Sequence, residues 1–320
     1  MKILVTGAAG FIGFNFCNYL LSINKSIKVS GIDNINDYYD VKLKKGRLNA
    51  LKKYKNFKFY KININDQKKI DKIFRLNKFD FVFNLAAQAG VRYSIDHPRK
   101  YIETNVVGFY NIIENSTKYK VKRLFYASSS SVYGENQNFP LTEKERINPK
   151  NIYGLSKKIN EEISQIFNRF NNLKSTGLRF FTVFGEWGRP DMMMMKYIES
   201  YYKKKTFQLN NFGKHTRDFT YIGDVVKILY LLLKNNNNLK SIDVLNICSN
   251  KPFKLEKIIY LMGKRNIKPT TKKAPLQKAD ILKTHGSNTK ILKITKFKKF
   301  EKIDKALNKT IDWYREYYNK

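Results

Sequence analysis

A chain of 320 residues with 42% hydrophobic and 14% aromatic content can bury one large core or two smaller ones, which excludes an intrinsically disordered protein. The formal net charge of +36 raises the class of polyanion binders. Yet the lysines are scattered, their densest runs (203–205 and 298–299) are short, and no zinc-finger spacing or aromatic RNA-binding signature accompanies them, so a lysine-rich solvated surface and no nucleic-acid partner are expected.

The apolar patterns predict, in chain order, a strand over 2–6, a helix over 11–22, strands over 28–32 and 57–62, a helix over 66–75 and a strand over 80–85. A helix over 106–117, a strand over 123–128, a helix over 153–170 and a strand over 176–181 continue the series. Helices over 190–204 and 224–233, a strand over 244–248 and a closing amphipathic helix over 302–318 follow, with the asparagine tract 235–238 read as a loop. Such alternation implies an α/β fold: a Rossmann-like, doubly wound parallel sheet with a smaller C-terminal α/β domain. Residues 1–181 form the Rossmann part, to which 218–249 return, and 182–217 with 250–320 form the smaller domain. The apolar runs are too short for a signal segment or a membrane span, and the protein is expected in the cytoplasm. Cys17 and Cys248 give neither a disulfide framework nor metal-ligand spacing, and His97, His215 and His285 fit no metal pattern, so no metal is expected. Met192 to Met195 reads as lining or core.

Gly7-Ala8-Ala9-Gly10-Phe11-Ile12-Gly13 sits between the first strand and the first helix. Glycines there allow a tight turn, a close backbone approach to a pyrophosphate and tight helix–strand packing, with the phosphates at the helix N-terminus. Asp33 ends the second strand, 20 residues beyond Gly13, where a carboxylate binds the adenosine ribose hydroxyls and would repel a 2′-phosphate. NAD is therefore expected in preference to NADP.

Tyr153 and Lys157 stand four apart on one helix face. Spacing alone carries nothing here, since Tyr38/Lys42, Tyr54/Lys58, Tyr201/Lys205, Tyr230/Lys234 and Tyr260/Lys264 share it. Tyr153 differs in its surroundings: it follows Ser129 by 24 residues, and Ser129 lies in a serine run that ends the fifth strand. A phenol is a poor base at neutral pH, and a nearby ammonium and a nicotinamide cation would favour its phenolate.

With the glycine spacing two-then-two, these segments resemble the short-chain dehydrogenase/reductase superfamily and its extended, sugar-nucleotide branch, the NAD-dependent epimerases. The resemblance implies cofactor contacts from Gly7, Gly10, Phe11, Ile12, Gly13, Asp33 and Asn34, and from Leu85, Ala86 and Ala87 in Asn84-Leu85-Ala86-Ala87. It adds Asn63 and Ile64, where the family has an Asp before the apolar residue; the Asn63 amide oxygen can still accept the adenine amino hydrogen. It makes Tyr153 the base at the sugar C4 hydroxyl, Lys157 its support and a contact to the nicotinamide ribose, and Ser129 the hydrogen-bond partner of the reacting oxygen. The resemblance further implies that NAD stays bound and is regenerated each turnover, and that the protein is a homodimer formed through 106–117 and 153–170.

Five further blocks are similar to UDP-glucuronate 4-epimerases: residues 33–40, 86–94, 177–185, 187–192 and 217–222. By position, Arg217 is implied to bind the pyrophosphate of a UDP-sugar, with Arg189 and Arg92 near the pyrophosphate or the sugar acid. Thr182 replaces the Asn of hexose epimerases and, with Ser130, is implied to contact a uronate carboxylate. Asp280 lies in Gln277-Lys278-Ala279-Asp280, where the family has a Gln-Pro-Gly-Asp turn near the uridine; Ala279 stands in place of that glycine. Gly154-Leu155-Ser156 also departs from the family's alanine-rich version. The reading is C4 epimerisation of UDP-glucuronate to UDP-galacturonate through a 4-keto sugar. The alternatives are a UDP-glucose or UDP-N-acetylglucosamine 4-epimerase, a UDP-glucuronate decarboxylase, or, in a different class, a non-catalytic NAD-binding scaffold or sensor. Ser130 and Ser131, standing where a dehydratase has Asp and Glu, argue against dehydration.

Overall fold

The computed structural model describes residues 1–277 and 280–320. Lys278 and Ala279, and with them the glycine-to-alanine departure, lie outside the described residues.

Seven parallel strands form the main sheet: β1 (Lys2–Thr6), β2 (Lys28–Asp33), β3 (Phe57–Lys61), β4 (Phe81–Asn84), β5 (Arg123–Ser129), β6 (Ser175–Phe180) and, after three strands placed elsewhere, β10 (Ile242–Ile247). Their spatial order is β10-β6-β5-β4-β1-β2-β3, which reverses direction between β1 and β4 as the doubly wound expectation requires. β1 shows why the sheet is central. Its side chains alternate faces, so Ile3 and Val5 join one apolar cluster and Leu4 the other, all fully buried. The first cluster is closed by α1 (Phe11–Ile23) and the later helix α9 (Ile222–Lys234), and the second by α3 (Gln67–Asn77) and α6 (Gly108–Lys118). Between α1 and α3 lies α2 (Val41–Lys52), and short helices α4 (Tyr93–Asp96) and α5 (Pro98–Tyr101) precede α6.

The helix predicted over 106–117 has a different entry. Residues Ile102–Val107 form a π-helical turn that runs into α6, and it buries Asn105. Asn105 accepts from the Gln88 backbone N–H (2.8 Å) and donates to the Ser156 hydroxyl (3.0 Å), so the turn ties the loop after β4 to α7 (Ile152–Asn171). Wide turns of this kind recur beside functional sites.

The rest of the chain builds a smaller layer. Strand β7 (Thr182–Phe184) pairs with β9 (Thr216–Tyr221), which pairs with β11 (Pro252–Lys254); β8 (Phe207–Asn210) pairs with β12 (Thr271–Ala274). With α8 (Met193–Tyr202), α10 (Leu255–Gly263) and α12 (Ile303–Tyr318) they enclose a separate cluster around Met194, Ile198, Ile258 and Ile311. The helix predicted from 190 starts at 193, because Met192 is extended. α11 (Thr289–Thr295) brings Ile291 back to the main-sheet cluster. No helix among the described residues is long and apolar enough to cross a membrane.

Candidate active site

A cavity of about 390 Å³ opens along the carboxyl ends of the main strands, at the switch point. At one end is the glycine-rich turn. A Cβ on Gly13 would lie 2.1 Å from the Gly7 carbonyl oxygen, so only glycine lets α1 start this close to the strand. Asp33 is set by its own backbone surroundings: its carboxylate accepts from the N–H groups of Ala9 (3.0 Å) and Ile35 (2.8 Å) and faces the cavity. Gly7, Gly10, Phe11, Ile12, Gly13 and Asn34 line this end, as do Asn63 and Ile64. The Asn63 amide oxygen also accepts from the Asn65 N–H (3.1 Å). Leu85, Ala86 and Ala87 line the cavity beside Gly7, on which a Cβ would lie 2.8 Å from the Ala86 nitrogen, and Thr6 anchors this stretch through Asn84 and the Ala86 N–H. A backbone cradle with a carboxylate beyond it fits the pyrophosphate and ribose of a dinucleotide.

Farther along, β5 gives way to a 3₁₀ turn (Ser130–Tyr133), and the change of direction presents Ser129 and Ser130 to the cavity. The Ser129 hydroxyl caps the turn by accepting from the Ser131 N–H (3.1 Å). α7 begins opposite, where Asn151 caps it by accepting from the Gly154 N–H (2.8 Å). Tyr153 and Lys157 lie in its first two turns and both line the cavity. The sequence departure at Gly154 has a steric reason. A Cβ there would stand 2.6 Å from the Ser131 carbonyl oxygen, so the glycine lets the start of α7 close onto the serine turn.

Burial raises the Tyr153 phenol pKa, and the nearby Ser129 hydroxyl and the Arg189 charge oppose that rise. Burial also pulls the Lys157 ammonium down to about 7, and its Nζ lies 6.0 Å from the centre of the Tyr153 ring. Beneath them Glu161 accepts from the Ser128 hydroxyl of β5 (2.6 Å) and forms a buried two-point pair with Arg179 of β6 (2.9 and 2.7 Å), which together fix both strands against α7.

The far end of the cavity belongs to the smaller layer. Thr182, at the head of β7, lines it together with Arg189, Arg217 and Asp280. Arg217 donates to the Thr216 and Leu282 carbonyls (3.0 Å each); burial lowers its pKa to about 10, with Asp280 opposing. Arg189 is paired with Asp191, which also accepts from the Tyr38 hydroxyl (3.1 Å). Arg92 stands at the rim outside the lining, held by a two-point pair with Asp280 (3.1 and 2.7 Å). Burial alone would raise the Asp280 carboxyl, but His215 and Arg92 hold it well below the usual carboxylate range.

Sequence reasoning passed over several residues of this region. Lys44 lines the cavity and donates to Asn36 (2.7 and 2.6 Å), yet in a stretch with lysines at 42, 44 and 45 nothing singles it out. Tyr38, Tyr39 and Gln88 also line the cavity. No group of three or more metal-ligating side chains occurs among the described residues.

Comparisons with known proteins agree with this geometry. Protein CapI of Staphylococcus aureus is 39% identical over the whole of both chains. A UDP-glucuronate 4-epimerase of Thermodesulfobacterium geofontis is 36% identical, the match covering 98% of this chain and 96% of that protein. The crystal structure of a UDP-glucuronic acid 4-epimerase from Bacillus cereus, in complex with UDP-glucuronic acid and NAD, superposes with a TM-score of 0.93 at 28% identity, covering 99% of this chain and 100% of that one. Residues 3–248, from the first strand through the glycine turn, the serine turn and Tyr153 to the last strand of the main sheet, match one family model, and the chain belongs to the NAD dependent epimerase/dehydratase family.

Proposed function

We propose that this protein inverts C4 of a UDP-sugar, converting UDP-glucuronate to UDP-galacturonate, with NAD retained through turnover. One observation carries the reading: a single cavity joins the dinucleotide cradle, the Ser129–Tyr153–Lys157 group and, beyond it, the hydroxyls of Ser130 and Thr182 with the cations Arg189 and Arg217.

Bound NAD supplies the acceptor and donor of the hydride at the sugar C4. Tyr153 takes the proton from the C4 hydroxyl as the carbon is oxidised and returns it when the opposite face is reduced. Ser129 donates a hydrogen bond to the same oxygen and so favours the 4-keto sugar. Lys157, on the same helix face, favours the Tyr153 phenolate and holds the cofactor ribose. Arg217 and Arg189 bind the pyrophosphate, for which a planar guanidinium fork is suited. Asp280 contributes to the uridine side.

The uronate follows from Ser130 and Thr182. Oxidising C4 of a glucuronate yields a β-keto acid prone to lose carbon dioxide. Two hydroxyls that hold the carboxylate in one orientation protect the intermediate, and a neutral hexose has no use for them.

The same reading includes a cytoplasmic homodimer and the division into an NAD-binding part (1–181 with 218–249) and a UDP-sugar-binding part. Val107 at the end of the π-helical turn and Tyr110 on α6, with Leu155, Ile166 and Phe170 on α7, are exposed apolar side chains that support pairing through these helices. The test is incubation of the purified protein with UDP-glucuronate, without added NAD, followed by NMR. UDP-galacturonate should appear. Survival of UDP-glucuronate even with NAD supplied would overturn the reading.

A further inference from the structure

Arg47 differs from the other charged residues of α2. It is completely buried, it does not line the cavity, and among the described residues no carboxylate forms an ion pair with it. A guanidinium buried without a counter-ion is costly, so its hydrogen bonds show what it is there to hold. On one side Nη1 donates to the Ala9 carbonyl of the glycine-rich turn (2.8 Å) and to the Tyr39 hydroxyl (2.6 Å). On the other, Nη2 donates to the Trp187 carbonyl (2.5 Å), with Gly188 at 3.4 Å. One side chain thus bridges the dinucleotide cradle and the turn that delivers Arg189.

Both ends of this bridge are shaped for it. The two peptide groups that flank the Ala9 Cα are both held, the Ala9 N–H by Asp33 and the Ala9 carbonyl by Arg47. Trp187 sits in the left-handed region (φ 59°), an uncommon conformation for a bulky residue. Its indole is packed by Phe14 of α1 (5.0 Å between ring centres) and by Trp313 and Tyr317 of α12 (5.3 and 4.7 Å). A second strut runs parallel, since Tyr38, next to Tyr39, donates to Asp191, the partner of Arg189.

We propose that Arg47 is a positioning residue that couples the two halves of the site, so that ordering of the cradle by NAD raises the affinity for the UDP moiety through Trp187 and Arg189. The proposal rests on the UDP-sugar reading above. Arg123 provides the comparison: it too is completely buried and donates to the carbonyls of Lys240, Leu239 and Asn236, but at the β10 side of the sheet and outside the cavity.

The experiment uses the full-length protein and its Arg47→Lys, Trp187→Leu and Arg123→Lys variants. NAD retained through gel filtration is quantified after denaturation, and UDP binding is measured by calorimetry on NAD-loaded and NAD-stripped protein. The wild type should bind UDP roughly 10-fold more tightly when loaded, within the usual range for coupled sites. In Arg47→Lys that ratio should fall below about 2-fold, with less NAD retained, because lysine cannot span two carbonyl groups with a planar fork. Trp187→Leu should do the same from the substrate side, and it carries the test should Arg47→Lys fail to fold. Arg123→Lys should keep the wild-type ratio while losing thermal stability. A wild-type ratio in both hub variants, an equal loss in Arg123→Lys, or no NAD dependence in the wild type would overturn the coupling. Absence of any UDP binding in the wild type would instead overturn the UDP-sugar reading, and NAD retention in Arg47→Lys against Arg123→Lys would still decide for or against Arg47.

Discussion

Lys157→Met should stabilise the cofactor-free protein at acid pH and lose most of that advantage at alkaline pH. Lys157 is 2% exposed, burial lowers its pKa from 10.5 to about 7, and among the described residues no carboxylate pairs with it. In the unfolded chain the same amine keeps its proton to about pH 10.4. Between these values the unfolded state binds the proton and the folded state does not, so stability rises with pH across that window. Below pH 7 the folded wild type bears the whole cost of a buried ammonium. The pKa difference corresponds to an upper limit of about 5 kcal/mol at 1.36 kcal/mol per unit; allowing for relaxation and water entry leaves about 2–4 kcal/mol. For a chain of this size that is about 4–8 °C in Tm at pH 6, at roughly 2 °C per kcal/mol. At pH 9, about two units into the window, the advantage should be less than half as large. Differential scanning calorimetry of both proteins, stripped of NAD and at one ionic strength, reads this directly. An equal Tm difference at pH 6 and pH 9, or a mutant less stable at pH 6, would refute desolvation as the dominant influence on Lys157.

Three other substitutions probe the remaining parts of the site. Tyr153→Phe should keep NAD bound while cutting turnover by roughly 10² or more, because it removes the group that moves the proton; near-normal turnover by NMR would contradict that role. Thr182→Val should reduce kcat/KM for UDP-glucuronate roughly 10-fold more than any residual activity on UDP-glucose, about the value of one hydrogen bond to a charged group. Equal losses on both sugars would remove the carboxylate contact. Glu161→Gln leaves the buried Arg179 without its counter-ion and should cost about 3–5 kcal/mol in chemical denaturation, with under 1 kcal/mol counting against the pair as the clamp between β6 and α7.

The alternation of strands and helices in the first half was legible because each element carries its own period. Ile3, Leu4 and Val5 are apolar on both faces, as a central parallel strand must be. Four strands of the smaller layer (β7, β8, β11 and β12) have only three or four residues, too few for any period to show, and they are held by their partners instead. α2 escaped for a different reason. Its buried face is Leu43, Leu48 and Leu51 with Lys44 and Arg47 among them, and two cations in a stripe that should be apolar read as solvent-facing. Those same cations lie at the cavity, Lys44 in its wall and Arg47 against the Ala9 carbonyl of the glycine-rich turn.

Arg92 shows where local sequence ceases to inform. A guanidinium fork fits a phosphate and a carboxylate equally well, so the residue type names the class of partner and leaves open which anion takes it. The anion that holds it in this structure is Asp280, 188 positions away. The pair engages Nε and Nη2 of Arg92, so any anion that competes with Asp280 for those donors must displace a two-point ion pair, and its gain is a difference between two pairs. Among the described residues Arg217 pairs with no carboxylate: it donates to the Thr216 and Leu282 carbonyls, and Asp280 acts on it only through space. Two arginines equally prominent in the sequence therefore differ in how far their donors are already committed to an anion, and the difference lies in tertiary pairing that no local motif encodes.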